Sequence, residues 1–274
     1  MSSSPDLPTA AHAMVELRCV TFGYGRQAVF SAFSWSLQRG EIWSVIGPSA
    51  CGKSTLLLLL AGLLHPQEGY VTIDGARLTR PRPETGLILQ AYELLPWATV
   101  RQNVALGLRI RTFYGPDGRH VPVGSRLDEG EVRARSEQWM ARLDISRVAE
   151  RYPRQISGGQ QQRTAIARTL VLQPDLLLMD EPFSALDAPT REDLQGLMLQ
   201  LAQEFGLTVV LVTHSVEEAA FVGQKALVLG QTPNGAARVL DLPHTVRSDY
   251  RASSDYQQAC VELRTALGGK GERT

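Results

Sequence analysis

The sequence predicts an α/β fold in which a β-rich layer joins a parallel α/β core, with a helix-prone segment between the two parts of that core. From residue 14 to about residue 90, short apolar runs alternate with turns, which is typical of β strands. Residues 160 to about 230 alternate strand-like and helix-like segments, which indicates a parallel sheet covered by helices. Residues 91–157 differ from both, because they are helix-prone and rich in arginine. We therefore expect one folded domain over residues 14–230.

A glycine-rich loop lies between an apolar strand and an apolar helix. Residues 47–55 read GPSACGKST, after a strand-like run at 42–46 and before a helix-like run at 54–64. In a loop of this kind backbone N–H groups surround phosphates, the lysine reaches the β- and γ-phosphates, and the hydroxyl binds Mg²⁺. The pattern predicts a P-loop for ATP and Mg²⁺. Its candidate binding residues are Gly47, Pro48, Ser49, Ala50, Cys51, Gly52, Lys53, Ser54 and Thr55.

A second strand ends in two carboxylates. The apolar run at residues 176–179 is followed by Asp180 and Glu181. Because a strand presents consecutive side chains to opposite faces, we expect the two acids to have different roles. Asp180 is expected at the Mg²⁺ site, and Glu181 is expected to accept a proton from, or orient, the water that attacks the γ-phosphate. An isolated acidic pair is typical of a solvated turn, but the P-loop upstream favours the catalytic interpretation.

The segment between these two elements carries a family resemblance. Residues 156–163 read ISGGQQQR, which resembles the signature of ATP-binding-cassette (ABC) proteins. Exposed N–H groups at the start of a helix can hold an anion, although a Ser-Gly-Gly turn that merely caps a helix would explain the tetrapeptide alone. The resemblance implies a P-loop NTPase (RecA-like) core with an antiparallel β layer and an α-helical subdomain inserted at about 91–157. It also implies that the ATP of a second copy is contacted by Ser157, Gly158, Gly159 and Gln160.

Other positions resemble further elements of the same family. Gln90 matches the glutamine that senses Mg²⁺ and the attacking water, residues 184–187 match the D-loop, and His214 matches the histidine that contacts the γ-phosphate. Tyr24 occupies the position of an aromatic ring that stacks on adenine, although Phe22 or Tyr24 could instead pack inside the β layer. The candidate catalytic residues are Lys53, Gln90, Glu181 and His214, and the candidate metal ligands are Ser54, Gln90 and Asp180.

Cys51 has a distinctive position within the phosphate loop. It lies near the start of a helix and two residues before Lys53, a setting that predicts a lowered thiol pKa. We therefore expect alkylation at Cys51 that MgATP blocks. The alternative is that a small residue simply fills the loop.

Composition limits the classes of partner. The chain has 28 basic and 28 acidic residues, so there is no electrostatic case for nucleic acid or for direct binding to an anionic membrane. The longest apolar stretch, residues 56–64, is about half the length that spans a bilayer.

Residues 1–13 lack the features of a signal peptide and are expected to be a disordered lead-in. Three cysteines without metal spacing indicate a reducing compartment such as the cytoplasm.

The region after Gln90 resembles one subgroup of the family. Residues 94–100 read LLPWATV and residues 103–105 read NVA, similar to cassettes of bacterial importers of the nitrate, sulfonate and taurine type. An apolar segment of this kind suits a groove that holds a partner helix, and the alternative is a hydrophobic staple within the subdomain. The resemblance implies polytopic membrane permease subunits and, indirectly, a solute-binding protein as partners. The chain would then lie at the cytoplasmic face of the inner or cell membrane.

One P-loop and one signature occur in the chain, and no family motif follows residue 230. Because the family builds each ATP site from two cassettes, the resemblance implies a head-to-tail dimer of this chain. A soluble ABC ATPase of translation or DNA repair and an exporter subunit remain as alternatives. Residues 231–274 are expected to form a tail with a short helix. Its apolar face is expected to carry Tyr256, Ala259, Cys260, Leu263 and Leu267.

Overall fold

The computed structural model describes residues 13–90, 93–114, 119, 127–243 and 250–268. The predicted lead-in, apart from residue 13, lies outside the described residues. Within the described ranges, no helix is both long enough and apolar enough to cross a membrane.

An antiparallel layer forms the first part of the chain, as predicted. It consists of β1 Val15–Tyr24, β2 Gln27–Leu37, β4 Glu68–Ile73 and β5 Ala76–Arg77, in the order β2-β1-β4-β5. Tyr24 pairs with Gln27 across the tip of the β1–β2 hairpin. The layer therefore ends in a hairpin whose tip carries the predicted aromatic position.

The second sheet has the order β10-β9-β3-β8-β7-β6, and β9, β3, β8, β7 and β6 pair in parallel. The central strands β3, β7 and β8 are continuous apolar runs because both faces of this sheet are covered. The bounds of the strands are β3 Ile42–Ile46, β6 Thr85–Ile88, β7 Leu176–Asp180, β8 Thr208–Val212, β9 Lys225–Val228 and β10 Arg238–Asp241.

Helices cover both faces of the parallel sheet. Several begin at side chains that accept a hydrogen bond from the first turn, such as Thr99, Ser157, Asp187 and Ser215. α5 ends at Gly206, whose positive φ of 60° suits glycine. The bounds are α1 Lys53–Leu60, α2 Val100–Phe113, α3 Glu129–Arg142, α4 Gly158–Leu170, α5 Ala188–Phe205, α6 Val216–Val222 and α7 Ser254–Gly268.

Alternate residues of the central strands enter two different cores. Leu176 and Leu178 pack with the antiparallel layer and α1. Leu177 and Met179 pack on the opposite face with residues of α2, α3, α4 and α5. The period of two along β7 thus places the β layer on one side of the sheet and the helical segment on the other.

The C-terminal helix α7 packs on α6 and β9. Ala259, Cys260 and Leu263 are buried there, with Tyr256 partly buried, as the sequence pattern predicted. The fourth turn differs from the expectation, because Ala266 is buried and Leu267 is exposed. Ala266, three residues after Leu263, lies on the same face of the helix as Leu263. Leu267, four residues after Leu263, points toward solvent at this end of the helix.

An ion pair joins the entry points of β6 and β7. Arg82 donates two bonds to the Asp175 carboxylate, the Nη2–Oδ2 bond being 2.7 Å long. Burial acts to raise the pKa of Asp175, but the bonds from Arg82 and the charges of Arg82 and Arg39 outweigh it. The pKa of this carboxyl is therefore held below its usual value, so folding favours the ionised form.

We expect Asp175→Asn to lower the free energy of unfolding at neutral pH by about 1–2 kcal/mol, because a charge-assisted bidentate pair is lost. Since the native pKa is depressed, this stabilisation is present above the unfolded carboxyl pKa of about 3.9 and is lost as pH falls through the native pKa. Urea unfolding of both proteins from about pH 7 down to about pH 2 measures the difference. A difference that stays constant over this range would contradict the assignment.

Candidate functional site

The predicted functional segments meet at one edge of the parallel sheet. The P-loop follows β3, Asp180 and Glu181 end or follow β7, His214 follows β8, and Gln90 follows β6. These four strands are adjacent in the order β3-β8-β7-β6. Because parallel strands end at the same edge, four segments far apart in the sequence are brought together.

Backbone geometry shapes the P-loop. Gly52, with φ of 103°, precedes α1, and an added Cβ would lie 2.5 Å from the Val29 side chain. Glycine is required here both by its positive φ and by the close approach of β2. Lys53 is buried, and its Nζ donates to the carbonyls of Gly47 and Pro48, each at 2.9 Å. The ammonium group is thus held within the loop that contains the candidate phosphate-binding N–H groups.

A cleft of about 650 Å³ opens between this loop and the hairpin tip. It brings together the hairpin, the P-loop, the acid after β7 and the histidine after β8. Gly47, Pro48 and Cys51 do not line it, although they belong to the same loop. The lining residues are Tyr24, Gln27, Val29, Ser49, Ala50, Gly52, Lys53, Ser54, Thr55, Glu181 and His214.

Glu181 departs from the strand geometry that the sequence predicted. β7 ends at Asp180, and Glu181 has a φ of 46°, so the alternation of faces does not extend across the pair. The expectation that strand alternation separates the two acids was therefore wrong in its reason, because a left-handed backbone turn directs Glu181 instead. Its amide still donates to the Val212 carbonyl at 2.9 Å. The turn is thus fixed against β8.

Two predicted catalytic side chains contact the same oxygen of Glu181. Gln90 Nε2 donates to Glu181 Oε2 at 3.2 Å, and His214 Nδ1 lies 3.1 Å from that oxygen. The Glu181 side chain is mostly buried, whereas His214 is largely exposed. A carboxylate held from two sides in a cleft with a phosphate loop is a suitable base for a water molecule.

Asp180 lies behind the P-loop. Burial raises the pKa of this carboxyl, and Glu181 adds to the effect, whereas a hydrogen bond from Ser54 and the charge of Lys53 oppose it. Hydroxyl and carboxylate oxygens thus lie together at the start of α1. Hard oxygen donors of this kind are the ligands that Mg²⁺ prefers.

Tyr24 is exposed over about half of its surface and borders the cleft. Its hydroxyl lies 3.4 Å from Thr55 Oγ1, and its ring meets Phe22 edge-on at 5.1 Å. Phe22 is buried, so of the two aromatic rings it is Phe22 that serves the packing of the β layer. One face of Tyr24 remains available to a planar ligand.

The signature segment does not line this cleft. Ser157 and Gln160 form a reciprocal capping box at the start of α4, with the two side chains bonded to each other's backbone N–H groups. Ser157 and Gly158 are exposed, whereas Gly159 is buried, and a Cβ there would lie 2.5 Å from Thr190. Within one chain, the structure therefore separates Ser157, Gly158, Gly159 and Gln160 from the P-loop cleft.

Sequence reasoning missed the residues that support His214. The Thr213 hydroxyl donates to Glu218 at 2.5 Å and accepts from the Ser215 amide at 3.0 Å. Glu218 is buried, and its burial raises its pKa, an effect that the Thr213 bond and the charge of Arg191 oppose. Only the position of Thr213 directly before His214 could have drawn attention to this support.

Arg191 connects the same support to the D-loop. It donates to the carbonyls of Phe183 and Leu186, at 3.3 and 2.7 Å, and lies 3.8 Å from Glu218. The segment after Glu181 and the turn after β8 are thus held by one arginine from α5. These contacts fix the backbone on both sides of the cleft edge.

The structure contradicts the predicted lowering of the Cys51 thiol pKa. Its side chain is buried, and this burial raises the thiol pKa, with the charge of Lys53 acting in the opposite direction but more weakly. The expected lowering of the pKa was wrong because the side chain points into the core and not toward the phosphate-binding face. Cys51 fills the space beside Gly47, whose added Cβ would lie 2.6 Å from Sγ.

We expect iodoacetamide at about pH 8 to alkylate Cys19 first, because that thiol is exposed while Cys51 and Cys260 are buried. Peptide mass spectrometry over a time course measures the three rates. All three cysteines should react at similar rates in denaturant, which controls for intrinsic reactivity. Native labelling of Cys51 as fast as Cys19 would contradict the packing described here.

Comparisons with known proteins agree with this arrangement. The family model described as "ABC transporter" matches residues 30–184. The taurine import ATP-binding protein TauB of Pseudomonas aeruginosa is 42% identical over 231 residues, which cover 81% of this chain and 82% of that protein. The nitrate import ATP-binding protein NrtC of Synechococcus elongatus is 41% identical over 211 residues, 77% of this chain and 30% of that protein.

A solved structure gives the same result for the fold. The ATP-binding cassette MJ0796, in a dimeric post-hydrolysis state bound to ADP and Pi, is 32% identical with a TM-score of 0.69, covering 83% of this chain and 98% of that chain. The predicted fold class, a P-loop NTPase core with an antiparallel layer and a helical subdomain, is confirmed. The chain belongs to the ABC transporter family.

Proposed function

We propose that this chain is the ATP-hydrolysing subunit of a bacterial ABC importer of a small solute, of the nitrate, sulfonate and taurine type. The observation that carries the proposal is the Glu181 carboxylate, which borders the P-loop cleft and contacts both Gln90 and His214. The relatives named for taurine and nitrate import support the importer class.

Each element of the cleft has a role in holding ATP. The P-loop N–H groups and Lys53 bind the triphosphate, for which Lys53 exchanges its bonds to the carbonyls of Gly47 and Pro48 for phosphate oxygens. Tyr24 stacks on adenine at the opposite end. Glu181 orients the attacking water and accepts its proton, while Gln90 and His214 fix the carboxylate.

Mg²⁺ fits the oxygen-rich start of α1. Ser54, Asp180 and Gln90 supply hydroxyl, carboxylate and amide oxygens, and Ser54 already hydrogen-bonds to Asp180. When bound, Mg²⁺ would neutralise charge on the phosphate oxygens. Burial raises the pKa of the partly buried Asp180 carboxyl, and an adjacent Mg²⁺ would act in the opposite direction.

Two copies of the chain complete each site in this proposal. Ser157, Gly158, Gly159 and Gln160 lie outside the cleft of their own chain, at an exposed helix start that suits an anion. A head-to-tail dimer would place them against the ATP of the mate. The dimeric state of the related cassette supports this arrangement.

The helical segment offers a surface for permease subunits. Trp97 is 73% exposed, while Leu94 is partly buried against the core of α2, α3 and α4. Asn103 is buried and bonds to Leu95, Ala98 and Thr99, so it fixes this segment from within. The segment thus combines an internal staple with one exposed aromatic ring, an anchor typical of interfaces.

The assembly follows from that surface. Through polytopic permease subunits the chain would lie at the cytoplasmic face of the inner or cell membrane, and the permease would receive solute from a solute-binding protein. In this proposal the ATPase domain comprises residues 14–230 with its helical subdomain at about 91–157, and residues 231–274 form a tail that adds β10 to the second sheet and packs α7 against α6. A soluble ABC ATPase of translation or DNA repair, or an exporter subunit, is not favoured by the named relatives.

Glu181→Gln should lower ATP turnover by about 100-fold or more, because the amide cannot accept a proton from water. ATP binding should persist, since the phosphate loop is unchanged. Phosphate release and nucleotide binding measure the two effects separately. Glu262→Gln, on the exposed face of α7, is the matched control and should keep wild-type turnover. Full hydrolysis by the Glu181→Gln chain would refute the role of this carboxylate.

Trp97→Ala should reduce recovery of a polytopic permease from gently solubilised native membranes by about tenfold, because an exposed aromatic anchor is removed. Mass spectrometry of proteins that co-purify with the tagged chain gives the measurement. Val261→Ala removes an exposed apolar side chain from α7 and serves as the control. Ribosomal or DNA-bound partners, with no permease, would instead support the soluble ATPase alternative.

A further inference from the structure

Asn234 lies in the loop between β9 and β10, where the sequence shows no family motif. The residue is only 5% exposed, and it does not line the cleft. Its hydrogen bonds reach two segments that border that cleft, the P-loop and β2. Buried amide groups that are fully bonded hold neighbouring segments in one arrangement.

On the phosphate side, Asn234 bonds to the P-loop itself. Its Nδ2 donates to the Cys51 carbonyl at 2.8 Å, and its Oδ1 accepts from the Gly230 amide at 2.8 Å. Cys51 directly precedes Gly52, the residue with the left-handed backbone at the start of α1. The side chain thus joins the phosphate loop to the segment after β9.

Toward the Tyr24 end of the cleft, where adenine is proposed to bind, Asn234 bonds to β2. Its backbone N–H donates to the Val29 carbonyl and its own carbonyl accepts from the Ser31 amide, both at 2.9 Å. Nδ2 also lies 3.4 Å from the Val29 carbonyl. Val29 lines the cleft, and β2 pairs with β1 up to Tyr24 at the hairpin tip. The backbone of Asn234 therefore behaves as a short extra strand on the hairpin.

Other contacts between the hairpin and the loop are less directional. Val29 packs against Gly52 through apolar atoms. The Tyr24 hydroxyl lies 3.4 Å from Thr55 Oγ1, at the long end of the hydrogen-bond range. The Asn234 amide, at 2.8 Å from Cys51, is the shorter and better defined link.

We propose that Asn234 is a positioning residue that sets the spacing between the Tyr24 platform and the phosphate loop. The inference rests on the proposed function, because it takes Tyr24 and the P-loop as the two ends of the nucleotide site. A ligand that spans both ends gains from this spacing, since the second contact is made without further loss of freedom. A ligand that occupies the phosphate loop alone does not.

ADP and inorganic pyrophosphate separate these two cases. ADP contacts both the platform and the loop, whereas pyrophosphate contacts the loop only. We expect Asn234→Ala to weaken ADP binding by about tenfold, comparable to the loss of one base-stacking contact. Pyrophosphate binding should change by less than about twofold, because the loop N–H groups remain. Isothermal titration calorimetry of the full chain with Mg²⁺ measures both affinities.

Asn234→Asp tests the same positioning role without removing side-chain volume and leaving a cavity. It keeps an acceptor for the Gly230 amide but places a carboxylate oxygen beside the carbonyls of Cys51 and Val29, so the same selective loss of ADP affinity is expected. Asn103→Ala is the matched control for destabilisation, because it removes a buried amide that also makes several bonds, in the helical segment. It should leave the ratio of the ADP and pyrophosphate affinities unchanged.

Two reference variants separate failure of this inference from failure of the nucleotide site. Tyr24→Ala should reduce ADP affinity alone, and Lys53→Ala should reduce both affinities. If both reference variants bind like the wild type, the proposed site is wrong. If they behave as expected while both Asn234 variants keep the wild-type ratio of affinities, the positioning role of Asn234 is overturned.

Discussion

The parallel pairing of β3, β8, β7 and β6 is the constraint on which the site depends. Their carboxyl ends lie side by side, so the P-loop, His214, the acidic pair and Gln90 emerge at one edge although they span well over a hundred residues of chain. β3, β8 and β7 are bonded on both sides and almost wholly buried, so they cannot shift register without moving their whole apolar pattern. The segments that follow these three strands are therefore held in register by the sheet.

The two faces of that sheet carry different partners. The antiparallel layer and α1 pack on the face of Leu176 and Leu178, whereas α2, α3, α4 and α5 pack on the face of Leu177 and Met179. The proposed nucleotide platform and the proposed permease surface are thus separated by one layer of strands. Gln90 follows β6 at the sheet's edge, contacts Glu181 and precedes the segment of Trp97 in the sequence.

Local patterns predicted the elements well, and long-range packing decided what they could not. The P-loop, the apolar strands and the capped α4 were predicted because each is encoded within a few adjacent residues. The predicted lowering of the Cys51 pKa was wrong because the burial of a side chain depends on neighbours far away in sequence. Asn234 escaped notice for the same reason, since its partners Cys51 and Val29 are about 180 and 200 residues away. The sequence identified Glu181 as a candidate acid, but it did not predict the backbone turn that directs the side chain.

That turn has a consequence for how the protein can evolve. A glutamate with φ of 46° carries a conformational cost of about 1 kcal/mol that glycine would not. Replacement by glycine would therefore relieve the backbone and remove the carboxylate in the same step. Under the proposed role of Glu181, selection for stability and selection for turnover act in opposite directions at this one position, and a search for thermostable variants that ignored activity would tend to discard the proposed base.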